Sequence, residues 1–129
     1  MKEIKYPSLE EALYLHEVLI ERFGGATGVL DLGLLESALG RPRSGYYKSL
    51  SEQAAALLHS IAMNHAFCDG NKRSALALTA VFLLMNGYTL DSSADESESF
   101  ILKVAAGEIK SVHDIAAWLE KWMTSVRVG

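Results

Sequence analysis

The sequence is poor in cysteine and long apolar runs, and each shortage excludes a class of protein. Its single cysteine, Cys68, excludes an intrachain disulfide framework and a zinc site built from several cysteines. No apolar run reaches the roughly 18 residues that a membrane-spanning helix needs. The first residues, Met1 to Lys5, do not lead into the apolar core of a secretory signal. We therefore expect no membrane association and a cytoplasmic location.

Positive charge is also scarce. The chain has 12 Lys and Arg residues against 16 Asp and Glu residues, which gives a net charge of −4. Because a general nucleic-acid-binding surface is basic, we expect no direct nucleic-acid partner. A length of 129 residues, with 50% hydrophobic and 22% charged residues, suits a single folded domain over residues 1–129 with one buried core.

The apolar residues follow a helical period along almost the whole chain. Ser8 and Glu11 have the spacing of a capping box, and Gly24-Gly25 is a stop signal for the helix that follows Ser8. Acidic residues dominate 91–98, which we interpret as a solvated loop and helix start. About six helices are predicted: one from Ser8 to Phe23, one over Asp31 to Leu39, one capped by Ser51 that runs to His65, one from near Lys72 to Met85, one around Phe100 to Ala106, and one from near Ser111 to Trp122.

The helix that begins near Lys72 is apolar on nearly every side, which predicts a central, buried position. The expected fold class is therefore all-α, with the helices arranged around a central buried pair. Residues 41–50 are the least helical stretch and favour a short extended segment, such as a β-hairpin flap. In such a flap Tyr46 and Tyr47 would hold a target peptide as an added strand; alternatively they only cover the core.

One stretch, His65–Arg73 (HAFCDGNKR), concentrates chemically active side chains between the two central helices. Asp69-Gly70-Asn71 predicts a tight turn, and the helix after it offers backbone N–H groups without intrahelical partners to an anion. The motif is not a Walker A loop, because position 71 is Asn where that loop needs Gly.

The side chains around this turn fit the handling of a phosphate. Lys72 and Arg73 place two cations at its mouth. Asp69 is a hard oxygen ligand of the kind that Mg²⁺ accepts. His65, four residues before Asp69, is placed to take a proton from an incoming hydroxyl. These are the recurring parts of phosphoryl and nucleotidyl transfer.

Simpler interpretations exist for each of these residues. A histidine near an aspartate, such as His65 and Asp69, is commonly a surface or capping pair, and the adjacent cations favour the functional interpretation here. His16 lies on an apolar helix face, which favours a hydrogen-bonded core histidine. His59 has a poor spacing to His65 for a shared metal and is interpreted as structural. Cys68 is interpreted as a packing residue rather than a nucleophile.

The stretch HAFCDGNKR resembles the HxFx(D/N)xNKR signature of the Doc (death-on-curing) branch of the Fic superfamily. Similarity extends to Phe23-Gly24-Gly25, to Gly28, and to LLESALGRP at Leu34–Pro42. The resemblance implies the all-α Fic fold, in which the signature spans the end of one central helix and the start of the next.

The resemblance also assigns roles to the motif residues. It implies that His65 is the general base and that Phe67 anchors the loop in the core. Asp69 would coordinate Mg²⁺ and take part in catalysis. Residues 70–72 (Gly70, Asn71 and Lys72) would form the anion-binding turn, and Arg73 would bind nucleotide phosphates and assist catalysis.

Three residues depart from the pattern of adenylylating Fic proteins, HPFx(D/E)GNGRxxR. Ala66 replaces Pro, Lys72 replaces the second Gly, and Leu76 replaces the second Arg, whereas Gly70 agrees with that pattern. Lys72 adds bulk and charge where a nucleotide phosphate would lie in the adenylylating enzymes. Leu76 removes the arginine that clamps a phosphate there. Both changes argue against the usual nucleotide pose.

By resemblance, the chain is a Doc-like toxin that transfers the γ-phosphate of ATP, with Mg²⁺, to a hydroxyl of a target protein. The expected target is a translation factor, elongation factor Tu, and the expected effect is inhibition of translation. The alternatives are a Fic-type AMP transferase, a degenerate Fic fold that only binds, and a helical metal-binding or scaffold protein. No inhibitory helix pattern, (S/T)xxxE(G/N), is present in the sequence, so the resemblance implies restraint by a separate antitoxin chain.

Overall fold

Six α-helices make up most of a computed structural model that describes residues 3–126. The all-α class predicted from the sequence is confirmed. Met1 and Lys2, which entered the argument against a signal segment, lie outside the described residues. Within the described range, no helix is long and apolar enough to cross a membrane. The elements in chain order are α1 (Leu9–Phe23), α2 (Leu32–Gly40), a 3₁₀ helix (Arg41–Arg43), α3 (Leu50–Asn64), α4 (Asn71–Met85), β1 (Tyr88–Leu90), α5 (Ala94–Ala105), α6 (Val112–Trp122) and β2 (Met123–Ser125).

Helix α3 is the central helix, and it packs against α2, α4, α5 and α6. Ten of its 15 residues are buried. Its cap differs from the prediction: Ser49 is the N-cap and forms a capping box with Glu52. Ser51, predicted to be the cap, is instead buried and donates a hydrogen bond to Glu120 Oε1 at 2.8 Å, which ties α3 to α6.

Helix α4 packs along α3 as the second member of the central pair. Its N-cap is Gly70, and it ends at Met85 before Asn86, as the sequence predicted. One side chain on its outer side, Leu84, is 58% exposed, so the helix is not buried on every side. The residues buried on α4 are Ser74, Ala75, Leu78, Thr79, Phe82 and Leu83.

Two features of the second half of the chain were not predicted. Strands β1 and β2 pair antiparallel, with Thr89 opposite Thr124; three residues are too few to show a period of two. Helix α5 begins at Ala94, and its N-cap Ser93 accepts a hydrogen bond from Glu96 N at 3.1 Å. Helix α5 therefore starts within 91–98, the stretch interpreted as a solvated loop and helix start, and earlier than the helix predicted around Phe100. Its first turns are polar and carry no apolar period.

The flap predicted for residues 41–50 is not extended. These residues form the 3₁₀ helix, bends and the start of α3, and none of the ten lies in a strand. The guanidinium of Arg41 explains this: it donates to Tyr47 OH at 3.1 Å, Ser60 Oγ at 2.9 Å and His59 Nδ1 at 3.1 Å. These bonds hold the segment against α3. Tyr46 is 80% exposed and meets Tyr47 edge to face at 4.9 Å.

The structural interpretation of His59 is confirmed by this contact, and it has a consequence for stability. Burial, followed by the charge of Arg41, lowers the pKa of His59. Because the unfolded chain then binds the proton more readily, the free energy of unfolding falls as the pH drops below about 6.5.

We predict that His59→Asn, whose Oδ1 can still accept from Arg41, removes this pH-dependent contribution. Between pH 7.5 and 5, urea denaturation should show the wild type losing about 1 kcal/mol or less relative to the variant, a small value because the ring is partly screened by solvent. Parallel stability profiles for the two proteins would contradict the assignment.

Candidate functional site

The motif predicted to carry chemistry spans the end of α3 and the start of α4. His65 is the C-cap of α3, with φ 51° and ψ 45°, and within residues 3–126 it is the only non-glycine residue with positive φ. This left-handed conformation costs about 1–2 kcal/mol for a residue with a Cβ. The bend it makes ends the helix and leaves the His65 side chain exposed. Strained backbone of this kind is concentrated at functional sites.

Phe67 and Asn71 close the turn. Phe67 is 1% exposed, as predicted for a core anchor. Asn71 Oδ1 accepts a hydrogen bond from Phe67 N at 3.0 Å, and Asn71 Nδ2 donates to Phe67 O at 3.0 Å. The side chain of Asn71, a residue predicted to form part of the anion-binding turn, is therefore engaged with the backbone of that turn. What Asn71 offers to an anion is its backbone N–H.

The N-terminus of α4 is open to a ligand. Gly70 is its N-cap, with φ 75° and ψ 20°, and in the described part of the chain no side chain caps this helix. The N–H groups of its first turn carry the positive end of the helix dipole. Lys72 and Arg73 lie in that turn and are exposed. An anion placed there would meet both backbone donors and full positive charges.

Asp69 has an exposed carboxylate that is held by backbone donors. Its Oδ1 accepts from Gly70 N at 2.9 Å and its Oδ2 accepts from Ala26 N at 3.3 Å. These two hydrogen bonds, followed by the positive charge of Arg73, lower the pKa of the Asp69 carboxyl. Within residues 3–126, no group of three or more metal-binding side chains surrounds it. One ionised carboxylate is nonetheless a fitting site for Mg²⁺ that is also held by substrate phosphates and water.

The loop between α1 and α2 supports the motif from outside, and the sequence did not predict this contact. Val29 and Phe67 form an isolated antiparallel bridge. Cys68 N donates to Gly28 O at 3.1 Å. The only sequence signal for the contact was the glycine-rich character of this loop.

Gly25 in the same loop lies against the candidate metal ligand. A Cβ added at Gly25 would approach Asp69 Oδ2 to 2.7 Å, and the residue has φ 119°. Only glycine lets the backbone come this close to the carboxylate. The neighbouring Gly24 also has positive φ, 85°, but a Cβ there would meet nothing within 4 Å.

His16 on α1 lies beneath the turn. It is 3% exposed, its ring stacks on Phe67 at 3.8 Å and 6°, and its Nε2 is 2.8 Å from the backbone oxygen of Asp69. The prediction of a hydrogen-bonded core histidine is confirmed. The sequence could not show that its partner belongs to the motif, which lies 53 residues further along the chain.

The motif opens into a cleft of about 730 Å³, between the α3–α4 junction and α5. Ser97 and Glu98, which lie in the stretch interpreted as a solvated loop and helix start, line the wall that α5 contributes. Cys68 is exposed and also lines the cleft, so its interpretation as a packing residue was wrong. Leu76, which stands where adenylylating Fic proteins have arginine, lines the cleft as well. The predicted site residues that line the cleft are His65, Asp69, Gly70, Asn71, Lys72 and Arg73.

The side chain of Arg73 is held from α1, whereas the two tyrosines of residues 41–50 lie away from the cleft. The guanidinium of Arg73 lies 4.3 Å from the ring centre of Phe23, a cation–π contact that orients it from the end of α1. Tyr46 and Tyr47 are not among the residues that line the cleft. Their role in binding a target therefore stays a prediction.

Comparison with known proteins agrees with the motif. Residues 6–83 match the model of the Fic/DOC family. The chain is 40% identical over 114 residues to a protein named Toxin Doc from Mycolicibacterium smegmatis, covering 83% of this chain and 87% of that protein. It is 35% identical over 122 residues to a protein named Protein kinase doc from Escherichia phage P1, covering 92% of this chain and 95% of that protein.

The contact between Gly25 and Asp69 leads to a test of the site's electrostatics. We predict that Gly25→Ala pushes the carboxylate away from Ala26 N and raises the pKa of Asp69 toward its ordinary value. Gly24→Ala is the matched control, because it also places a Cβ on a positive-φ residue, at a cost of about 1–3 kcal/mol, but in open space. Carbon-detected NMR titration of the Asp69 carboxyl measures both. Equal pKa values in the two variants would contradict the contact.

Proposed function

Because the chain belongs to the Fic/Doc family, we propose that it is a Doc-type toxin that transfers the γ-phosphate of ATP to a hydroxyl of a target protein. The observation that carries the proposal is the cleft, which brings together His65, Asp69 and the uncapped N-terminus of α4. The relative from phage P1 is named a protein kinase and the mycobacterial relative a toxin. Both names agree with this activity.

The phosphates would lie at the start of α4. The first-turn N–H groups, the ammonium of Lys72 and the fork of Arg73 together supply donors and positive charge for several phosphate oxygens. Lys72 lies where adenylylating enzymes have glycine, and Leu76 offers no donor where they have arginine. These two residues favour a pose in which the terminal phosphate, rather than the α-phosphate, is placed for attack.

In the reaction, His65 accepts the proton of the target hydroxyl. The hydroxyl oxygen forms a bond to the γ-phosphorus while the bond from that phosphorus to the β–γ bridging oxygen breaks. ADP leaves with the electron pair, and the target becomes a phosphate ester. Lys72 and Arg73 stabilise the charge that develops on the transferring group.

Asp69 would hold Mg²⁺ through its exposed carboxylate. The chemistry that a divalent ion would supply when bound there is positive charge that offsets the charge of the substrate phosphates. The low pKa of Asp69 keeps the carboxylate ionised. The carboxylate oxygens also accept from Gly70 N and Ala26 N, which fixes their direction relative to the turn.

The partners follow from the family resemblance and the open site. The target expected by resemblance is elongation factor Tu, whose modification would inhibit translation in the cytoplasm. The side chains of His65, Asp69, Lys72 and Arg73 are all exposed, so no segment of the described chain shields them. We infer that an antitoxin supplied in trans covers the cleft, which agrees with the relative named a toxin.

Labelled nucleotides test the chemistry. We predict that the purified chain, incubated with cell extract and Mg²⁺, transfers label to protein from γ-labelled ATP and not from α-labelled ATP. His65→Ala should lower the transfer by about 10²–10⁴-fold, the usual contribution of a positioned base. His113→Ala is the matched control, since His113 is an exposed histidine on α6 that does not line the cleft.

Two other labelling results would each reject γ-phosphate transfer. Label from the α position would replace phosphate transfer by AMP transfer. The absence of label from both nucleotides, together with toxicity that His65→Ala leaves unchanged, would indicate a Fic fold that acts only by binding.

The two asparagines that clamp backbone allow stability to be separated from activity. Asn71 closes the motif. Asn86 lies away from the cleft, where its Oδ1 accepts from Lys5 N and its Nδ2 donates to Lys5 O and Phe82 O. We predict that Asn71→Ala and Asn86→Ala each cost about 1–3 kcal/mol of unfolding free energy. Only Asn71→Ala should also abolish γ-phosphate transfer when both are assayed well below their melting temperatures. Equal activity in the two variants would contradict the role given to Asn71.

A further inference from the structure

We propose that His16 is a positioning residue for the phosphate-binding turn: its Nε2–H holds the Asp69–Gly70 peptide in the one orientation that keeps Gly70 N–H directed at the Asp69 carboxylate. The functional consequence rests on the proposed phosphate transfer, whereas the positioning itself is a property of the protein alone. His16 lies on α1, outside the signature.

The hydrogen bond fixes the chemical form of His16. The backbone oxygen of Asp69 can only accept, so Nε2, at 2.8 Å, carries the proton and donates it. The ring is 3% exposed and lies nearly parallel to Phe67 at 3.8 Å. Burial and stacking therefore restrict the ring to a position in which its donor meets that carbonyl.

The peptide that His16 holds has two accessible orientations. In a trans peptide the C=O and N–H point in opposite directions, and the described residues contain no cis peptide. With the Asp69 oxygen bonded to His16 in the core, Gly70 N–H points the other way and donates to Asp69 Oδ1 at 2.9 Å. A rotation of this peptide by about 180° would exchange the two groups, taking φ at Gly70 from positive to negative.

Gly70 itself does not prevent that rotation. Its φ is 75°, and glycine adopts positive and negative φ about equally. A Cβ at this position would lie 3.2 Å from Ile20 Cδ1 and 3.7 Å from His16 Nε2, so a larger residue that favoured one φ would crowd α1. The donor on His16 is thus the contact from outside the turn that distinguishes the two orientations.

The rotated peptide would damage the site in two ways. Asp69 would lose the backbone donor that contributes most to lowering its pKa. The Asp69 carbonyl oxygen, with its partial negative charge, would face the same side as the phosphate-binding N–H groups of α4. Both effects oppose the binding of ATP with a divalent cation.

A pair of variants separates the donor from the ring. His16→Gln keeps an N–H donor near the position of Nε2, and His16→Phe keeps a stacking ring without the donor. We expect His16→Gln to bind ATP with Mn²⁺ nearly as well as the wild type in isothermal titration. His16→Phe should bind on the order of tenfold more weakly, as is typical when the partner that orients a metal ligand is lost.

The orientation of the peptide is read without ligand. Crystal structures of the two variants should show the Asp69 carbonyl directed at residue 16 in His16→Gln and rotated away in His16→Phe. If His16→Phe does not fold, NMR of the wild type still tests the contact, because a bonded Nε2–H exchanges slowly with water. Fast exchange of that proton, equal ATP affinity in the two variants, or an unrotated carbonyl in His16→Phe would each overturn the proposal.

These measurements also separate this inference from the proposed function. A rotated peptide and weaker ATP binding in His16→Phe, in a wild-type protein that labels no target from γ-labelled ATP, would support the positioning role and reject phosphate transfer. If the wild type transfers phosphate and the two variants transfer it equally well, the positioning role is rejected and phosphate transfer stands.

Discussion

The hydrogen bonds between the Asn71 side chain and the backbone of Phe67 are the constraint on which the site depends. They close the five residues 67–71 into a turn at the junction of the two central helices. His65, in a left-handed conformation, lies two residues before the turn, and the exposed N-terminus of α4 lies at its other end. Without the clamp, neither His65 nor the helix N-terminus would have a fixed position relative to the other.

Three layers of structure hold this turn. The core holds Phe67, which His16 covers from α1. The loop between α1 and α2 bonds the motif through Val29 and Gly28. The helix α5 provides the opposite wall of the cleft. Groups that would be unfavourable elsewhere, such as strained backbone, an uncapped helix and two adjacent cations, are thereby kept in place, as is expected at a site that binds a charged ligand.

Local patterns determined which parts of this description could be predicted from sequence. The cap at Ser8 and the stop at Gly24 each depend on a few neighbouring residues, and both predictions are confirmed. The early start of α5 was missed because its first turns are polar, and residues 41–50 were misjudged because Arg41 bonds to Ser60, a partner distant in sequence. The contact of His16 with Asp69 spans 53 residues, which no local pattern encodes. The role of Lys72 and Leu76 in choosing the transferred group stays a prediction.

The most direct test of γ-phosphate transfer at this site is a crystal structure of the chain with Mg²⁺ and a non-hydrolysable ATP analogue. We predict that the terminal phosphate lies on the first turn of α4, with its phosphorus the closest of the three to the His65 ring, and that the cation contacts Asp69. An α-phosphate in that position, with the terminal phosphate directed away from His65, would contradict it.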